Sequence, residues 1–200
     1  MPKRNPLFHA LFALAIQTAV LAQPGRQVPY GALKNTVILI IRHAEKARPS
    51  RDLAPAGVAR AKAYVDYFGN YRIDGKPVKL GYLFATADTP KSRRPRLTLE
   101  PLSKATGLVI DTRFIEGDAQ GLADEMHARP HGPAILVAWH HGEIARLLDA
   151  LGADPGRVLP NGRWPEPLYD RLVQLRFDGQ GRLLEARGIN ENLMPGDSPQ

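Results

Sequence analysis

Two stretches of the chain are apolar at every position or nearly so and then switch abruptly to polar. Thr36–Ile41 (TVILII) runs straight into Arg42-His43-Ala44-Glu45-Lys46, and Ala134–Trp139 (AILVAW) into His140-His141-Gly142-Glu143. Short runs without alternation, the first rich in β-branched residues, fit strands covered on both faces. Elsewhere the period lengthens. Pro55–Tyr67 opens on a proline, places Val58, Ala61 and Val65 at helical spacing, continues that face at Phe68 and stops at Gly69-Asn70, which predicts a helix. Lys79–Ala85 and Leu108–Phe114 read as further strands. Helices are expected from Pro95 to Lys104, shortened or kinked by Pro101, from Asp118 to Ala128 with Asp118 as cap, and from Ile144 to Leu151, closed by Gly152. Arg171–Phe177 and Arg182–Arg187 flank Asp178-Gly179-Gln180-Gly181 in a hairpin pattern. The polar tail from Glu191, which holds Pro195 and Pro199, is expected to fray.

Strands that alternate with helices specify an α/β fold. The expected form is a three-layer sandwich with a largely parallel central sheet, to which the C-terminal hairpin adds an antiparallel edge. Ligand sites in such sheets form beyond the carboxyl ends of the strands. His43 and the His140-His141 pair therefore fall on one edge.

The N-terminus follows another pattern. Lys3 and Arg4 precede a mostly apolar stretch, Leu7–Ala22, that ends in Val20-Leu21-Ala22. Such a sequence predicts a secretory signal peptide cleaved after Ala22. A stretch of about sixteen residues is short for a membrane span, and His9 and Gln17 interrupt it, which counts against an uncleaved anchor. The chain thus divides into a signal peptide, 1–22, and one domain, 23–200, expected in the periplasm or secreted and with no stable membrane span after cleavage.

Composition narrows the chemistry. With no cysteine among 200 residues, disulfides, thiolate zinc sites and cysteine nucleophiles are excluded. The formal charge is +7, or +5 once Lys3 and Arg4 are removed. The basic residues are scattered except for Lys91, Arg93, Arg94 and Arg96, and no aromatic ladder is interleaved with them. That distribution suits an anionic small substrate better than a nucleic acid. His127 and His131 have the spacing of a ligand pair, but Pro130 and Gly132 break the helix that would align them, so both are expected as exposed loop residues and not zinc ligands.

Four blocks then resemble one family in order. Ile40-Ile41-Arg42-His43-Ala44-Glu45-Lys46 is similar to the strand and RHG or RHA-E signature of the histidine phosphatase (phosphoglycerate mutase-like) superfamily. Leu53–Ala61 (LAPAGVARA) resembles the helix start that follows it, and Ser92–Thr98 (SRRPRLT) the segment carrying the second arginine, which by spacing from Thr98 is Arg94. Val137–Ile144 (VAWHHGEI) resembles the turn with the second catalytic histidine. The resemblance covers roughly residues 36 to 190 and implies a phosphatase that needs no metal or organic cofactor. His43 would be the nucleophile toward a phosphorylated small molecule, and Arg42 and Arg94 would hold the phosphate, because guanidinium presents paired donors and stays charged.

The second histidine is left between His140 and His141. The Trp139-x-His141 spacing and the Arg94-Pro95 pair resemble a subgroup that favours His141, with His140 packing against the sheet or bonding backbone. Glu116, Asp118 and Glu143 are the candidates for the general acid, and Glu116, after a predicted strand end, is preferred. Lys46, counted with Arg42 and Arg94 as substrate-binding, and Lys91, Arg93 and Arg96 could extend a positive rim that attracts anionic substrates, while Trp139 and Trp164 read as packing residues. The rival reading is a protein on the same fold that binds a phosphate ligand without turning it over; a mutase suits an exported chain poorly.

Overall fold

The computed structural model describes residues 32–198, and the expected signal segment lies outside them. Its centre is β1 (Val37–Arg42), paired in parallel with β6 (Ala134–Trp139) on one side and antiparallel with β7 (Arg171–Phe177) on the other. With β4 (Tyr82–Ala85), β5 (Ile110–Asp111) and β8 (Leu183–Asn190) the sheet order is β5-β4-β6-β1-β7-β8. The β4, β5, β6 and β1 pairings are parallel, and the β7–β8 hairpin forms the antiparallel edge.

The unbroken apolar runs follow from helices on both faces. Ile38 and Ile40 join a core with Ile135, Val137 and Trp139 of β6, Leu122 and Met126 of α3 (Ala119–Ala128), and Leu147 and Leu148 of α4 (Ile144–Ala150). Leu39 and Ile41 join the opposite core with Tyr64 and Phe68 of α1 (Pro55–Gly69) and Leu99 and Leu102 of α2 (Arg94–Thr106). Residues 38–41 are fully buried, and burying a side chain of that size stabilises the fold by about 1.5–3 kcal/mol. No helix among the described residues is long and apolar enough to cross a membrane.

Several expectations change. The Leu108–Phe114 strand shrinks to Ile110–Asp111, because it lies at an edge with β4 as its one neighbour and Asp111 turns to Arg113. The helix does not stop at Pro101 but runs on to Thr106, and Gly107 closes it at φ 75°. Proline there removes one N–H, and tertiary packing outweighs that loss. A small hairpin, β2 (Arg72–Ile73) with β3 (Lys76–Pro77), turns at Asp74-Gly75, both at positive φ, where glycine carries no steric cost. His127 and His131 are not exposed: each is 8% accessible, and the His131 ring lies 4.5 Å from that of Tyr82. The tail does not fray over its described length. Glu191 is 1% exposed and accepts a hydrogen bond from the Tyr64 hydroxyl, and Asp197 forms a two-pronged ion pair with Arg60 at 2.7 and 3.0 Å.

The loop after β1 is fastened by α1 and α2. Ala54 donates its N–H to the Glu45 carbonyl at 2.8 Å, and Arg60 donates to the Glu45 carboxylate at 2.8 and 2.9 Å. Helix α1 approaches so closely that a Cβ on Gly57 would lie 2.4 Å from the Glu45 carbonyl oxygen. The Gly57→Ala protein is therefore expected to lose about 1–3 kcal/mol of stability, the scale of overpacking a closed contact, measured as a lower urea midpoint at unchanged slope; an unchanged midpoint would show that the contact can open freely.

Candidate active site

The register of two parallel strands builds the site. Arg42 pairs with Trp139, and the ladder extends one residue further, with the His43 N–H donating to the Trp139 carbonyl at 2.9 Å. His43 and His140 thus leave the sheet side by side, with ring centroids 5.2 Å apart and edge to face. Strand β6 ends at Trp139, so alternation no longer sends the next two side chains to opposite faces. His140 turns to His43, and His141 Nδ1 lies 3.3 Å from Arg42 Nη2.

His43 is 2% exposed, and its Nδ1 lies 2.7 Å from the Ala44 carbonyl. A carbonyl can only accept, so Nδ1 carries the proton and Nε2 keeps its lone pair. Burial, aided by the charge of Arg42, pushes the ring pKa down to about 3, so it is neutral at physiological pH. His140 is held down to about 4, first by burial and then by Arg94. His141 is lowered as well, by burial and by Arg42. Since Arg42 can only donate, the neutral His141 accepts at Nδ1 and carries its proton on Nε2.

Arg42 is fully buried although charged. Its Nη1 donates to the carbonyls of Pro165, Glu166 and Leu168, and its guanidinium lies 3.8 Å above the Tyr169 ring. Desolvation lowers its pKa to about 10, which leaves it cationic at neutral pH. Trp164 closes this carbonyl cup from behind by donating Nε1–H to the Leu168 carbonyl at 2.8 Å. Neither this cup nor Tyr169 was among the sequence candidates, because the loop resembles no catalytic motif and its role is played mostly by backbone oxygens.

Arg94, at the start of α2, donates to the carbonyls of Ser50 and Lys91 at 3.3 and 3.4 Å. Its charge acts on His43, His140 and Glu116. Thr98, one turn on, donates to the Arg94 carbonyl at 2.8 Å and accepts the Ala44 N–H at 2.9 Å, joining the two arginine-bearing segments. Arg93 and Arg96 turn to Asp52 and Asp88 instead, and Lys91 is exposed. Lys46 bonds Glu166 at 2.8 Å and acts electrostatically on His141.

The three acid candidates separate by surroundings. Asp118 caps α3 by accepting the Gly121 N–H at 3.0 Å, and Glu143 pairs with Arg146 at 2.9 Å. Glu116 Oε1 lies 3.7 Å from His140 Nδ1, and burial together with Glu143 raises its pKa. The Glu116 carbonyl is held by Trp139 Nε1–H at 3.1 Å, which gives that buried indole a second task besides packing. The described residues hold no cluster of three metal-ligating side chains.

The sandwich is a fold that the chain shares with solved structures. No protein-family model matches the chain, and no curated protein matches it. Among solved structures it is similar to a phosphoglycerate mutase from Plasmodium falciparum, 17% identical with a TM-score of 0.51, over 82% of this chain and 97% of that one. It is also similar to a protein assigned as the phosphohistidine phosphatase SixA from Agrobacterium tumefaciens, 17% identical with a TM-score of 0.50, over 76% of this chain and 96% of that one.

Histidines held below their ordinary pKa make stability depend on acid. The unfolded chain protonates His43 and His140 near pH 6.5, and the folded chain does so only near about 3 and about 4. Between those values the unfolded state binds more protons, so the stabilisation is complete above pH 6.5 and is lost as pH falls toward 3. The unfolding free energy from urea melts should drop between pH 7 and 5, by as much as about 2 kcal/mol for one fully buried ring. The drop should be smaller in His43→Asn; an equal drop in that variant would assign the acid sensitivity elsewhere.

Proposed function

We propose that the protein is an exported phosphomonoesterase that works through a phosphohistidine on His43. The observation that carries this reading is the state of that ring: buried, neutral and hydrogen-bonded at Nδ1, with the Nε2 lone pair free in the field of Arg42 and Arg94. Nε2 attacks phosphorus as the bond to the ester oxygen breaks, and Glu116 gives its proton to the leaving oxygen. The Glu116 carboxylate then takes a proton from water as that water displaces phosphate from His43. Arg42, Arg94 and the Nε2–H of His141 bind the phosphoryl oxygens and stabilise charge that grows on them in the transition state. The phosphoryl chemistry named for the two fold neighbours agrees with this reading.

The rival, a binding protein without turnover, predicts no acid at the site. The raised carboxyl of Glu116 beside His140 favours catalysis instead. The expected result is hydrolysis of an aryl phosphate in the presence of chelator, with phosphate trapped on His43 and detected by neutral or alkaline gel or by mass spectrometry, since a P–N bond does not survive acid. The rate should fall as pH rises through the Glu116 pKa, and that alkaline limb should vanish in Glu116→Gln. His141→Ala should cost about a hundredfold or more, the scale of losing one charge-stabilising donor, and His140→Ala less. The opposite order would move the donor role to His140. Phosphate binding without hydrolysis of any ester would favour the rival, and activity lost to chelator and restored by zinc would overturn the mechanism.

Export rests on Lys3-Arg4 and the apolar stretch to Ala22. Mass spectrometry of protein from its native host should find a chain beginning at or near Gln23; soluble cytoplasmic protein with an intact Met1 would refute it.

A further inference from the structure

The wall of the site contains one acid that the phosphatase mechanism does not use. Glu166 lies between Pro165 and Pro167, and its carboxylate bridges Lys46 Nζ at 2.8 Å and Arg48 Nη2 at 3.1 Å. The two prolines restrict the backbone around it, since proline has a fixed φ and holds the preceding residue extended. The Glu166 carbonyl is also an acceptor for Arg42. The carboxylate is thereby held at the site by its backbone, and not by packing of the side chain, which is 59% exposed. Ion pairs so open to water add little to stability, so this one has no evident task in the fold. Its field does reach the site: Glu166 acts on both Arg42 and His141.

One phosphoryl group is served by Arg42, Arg94 and a histidine. Lys46 and Arg48 are surplus to it, and left free they would make a second anion position beside the first. We propose that Glu166 is a specificity-determining residue that occupies Lys46 and Arg48 and selects against esters bearing a second anionic group next to the transferred phosphate. A carboxylate or second phosphate arriving there meets a like charge and finds its donors taken. The favoured substrates are monoesters whose alcohol is neutral or cationic near the ester oxygen. This inference rests on the phosphatase reading for its geometry of binding, but it is tested separately.

The experiment compares an aryl phosphate with the same ester carrying a carboxylate on the ring, in the wild-type protein and in Glu166→Gln. Only the ratio of kcat/KM for the two esters is read, so that any general loss cancels. The ratio is expected to move about tenfold toward the anionic ester, the scale of removing one like charge at a partly exposed rim, chiefly through KM, and to move less in high salt. Adding Lys46→Met to Glu166→Gln should abolish the gain. An unchanged ratio, or a gain that persists in the double variant, overturns the proposal. The same ratio read as dissociation constants by calorimetry, in a His43→Asn background, reports on Glu166 even if the wild-type chain binds without turnover; absent turnover would overturn the phosphatase reading alone.

Discussion

The constraint on which the rest of the site depends is the burial of one cation. Arg42 is removed from water at the end of the central strand, and among the described residues no carboxylate bonds it. Withdrawing a charge from water is costly unless dipoles replace the lost hydration. Here the replacement comes from three carbonyls of one loop and the face of Tyr169. Dipoles stabilise the guanidinium without neutralising it. The charge therefore remains available to an anion, as a bonded carboxylate would not allow. The Pro165–Tyr169 loop and its indole latch are consequences of that requirement.

A second buried arginine is treated in the opposite way. Arg60 is 3% exposed in its side chain and is surrounded by the carboxylates of Glu45, Asp197 and, at 3.6 Å, Glu191. Burial pushes the Glu191 carboxyl up to about 8, so it is mostly protonated at neutral pH and the acidic cluster is less repulsive than its composition suggests. This network joins α1, the loop after His43 and the C-terminal strap. Neutralised cations thus fasten the structure, and an unneutralised one is kept for the site. Thr98 and Gly57 complete the fastening, the first through a hydroxyl that both donates and accepts, the second by having no side chain.

Much of this was legible in the chain before folding. The two apolar runs named the central strands, since a strand covered on both faces has no polar position to spare, and β6 has the predicted bounds. The polar residues after each run named the sheet edge where His43, His140 and Arg42 gather. The resemblance of Ser92–Thr98 to a family segment singled out Arg94 over Arg93, and the structure turns Arg93 to Asp52. Asp74-Gly75 carries a turn signal in the sequence, and both residues sit at positive φ.

What remained is of another kind. The carbonyl cup of Arg42 is built from backbone oxygens, which every residue has and no motif marks. Which carboxylate meets a histidine depends on where two loops end in space: Asp118 and Glu116 are two residues apart, yet one caps a helix and the other faces His140. The tail looks unstructured by composition, but Asp197 finds Arg60, a partner 137 positions away in the chain. Periodicity, chain-local spacing and charge are properties of neighbours along the sequence, and they pointed to the elements and the sheet edge, while the family resemblance pointed to the arginines and histidines. Pairing between distant groups is decided by packing, because only the closed structure removes water and makes a particular partner indispensable.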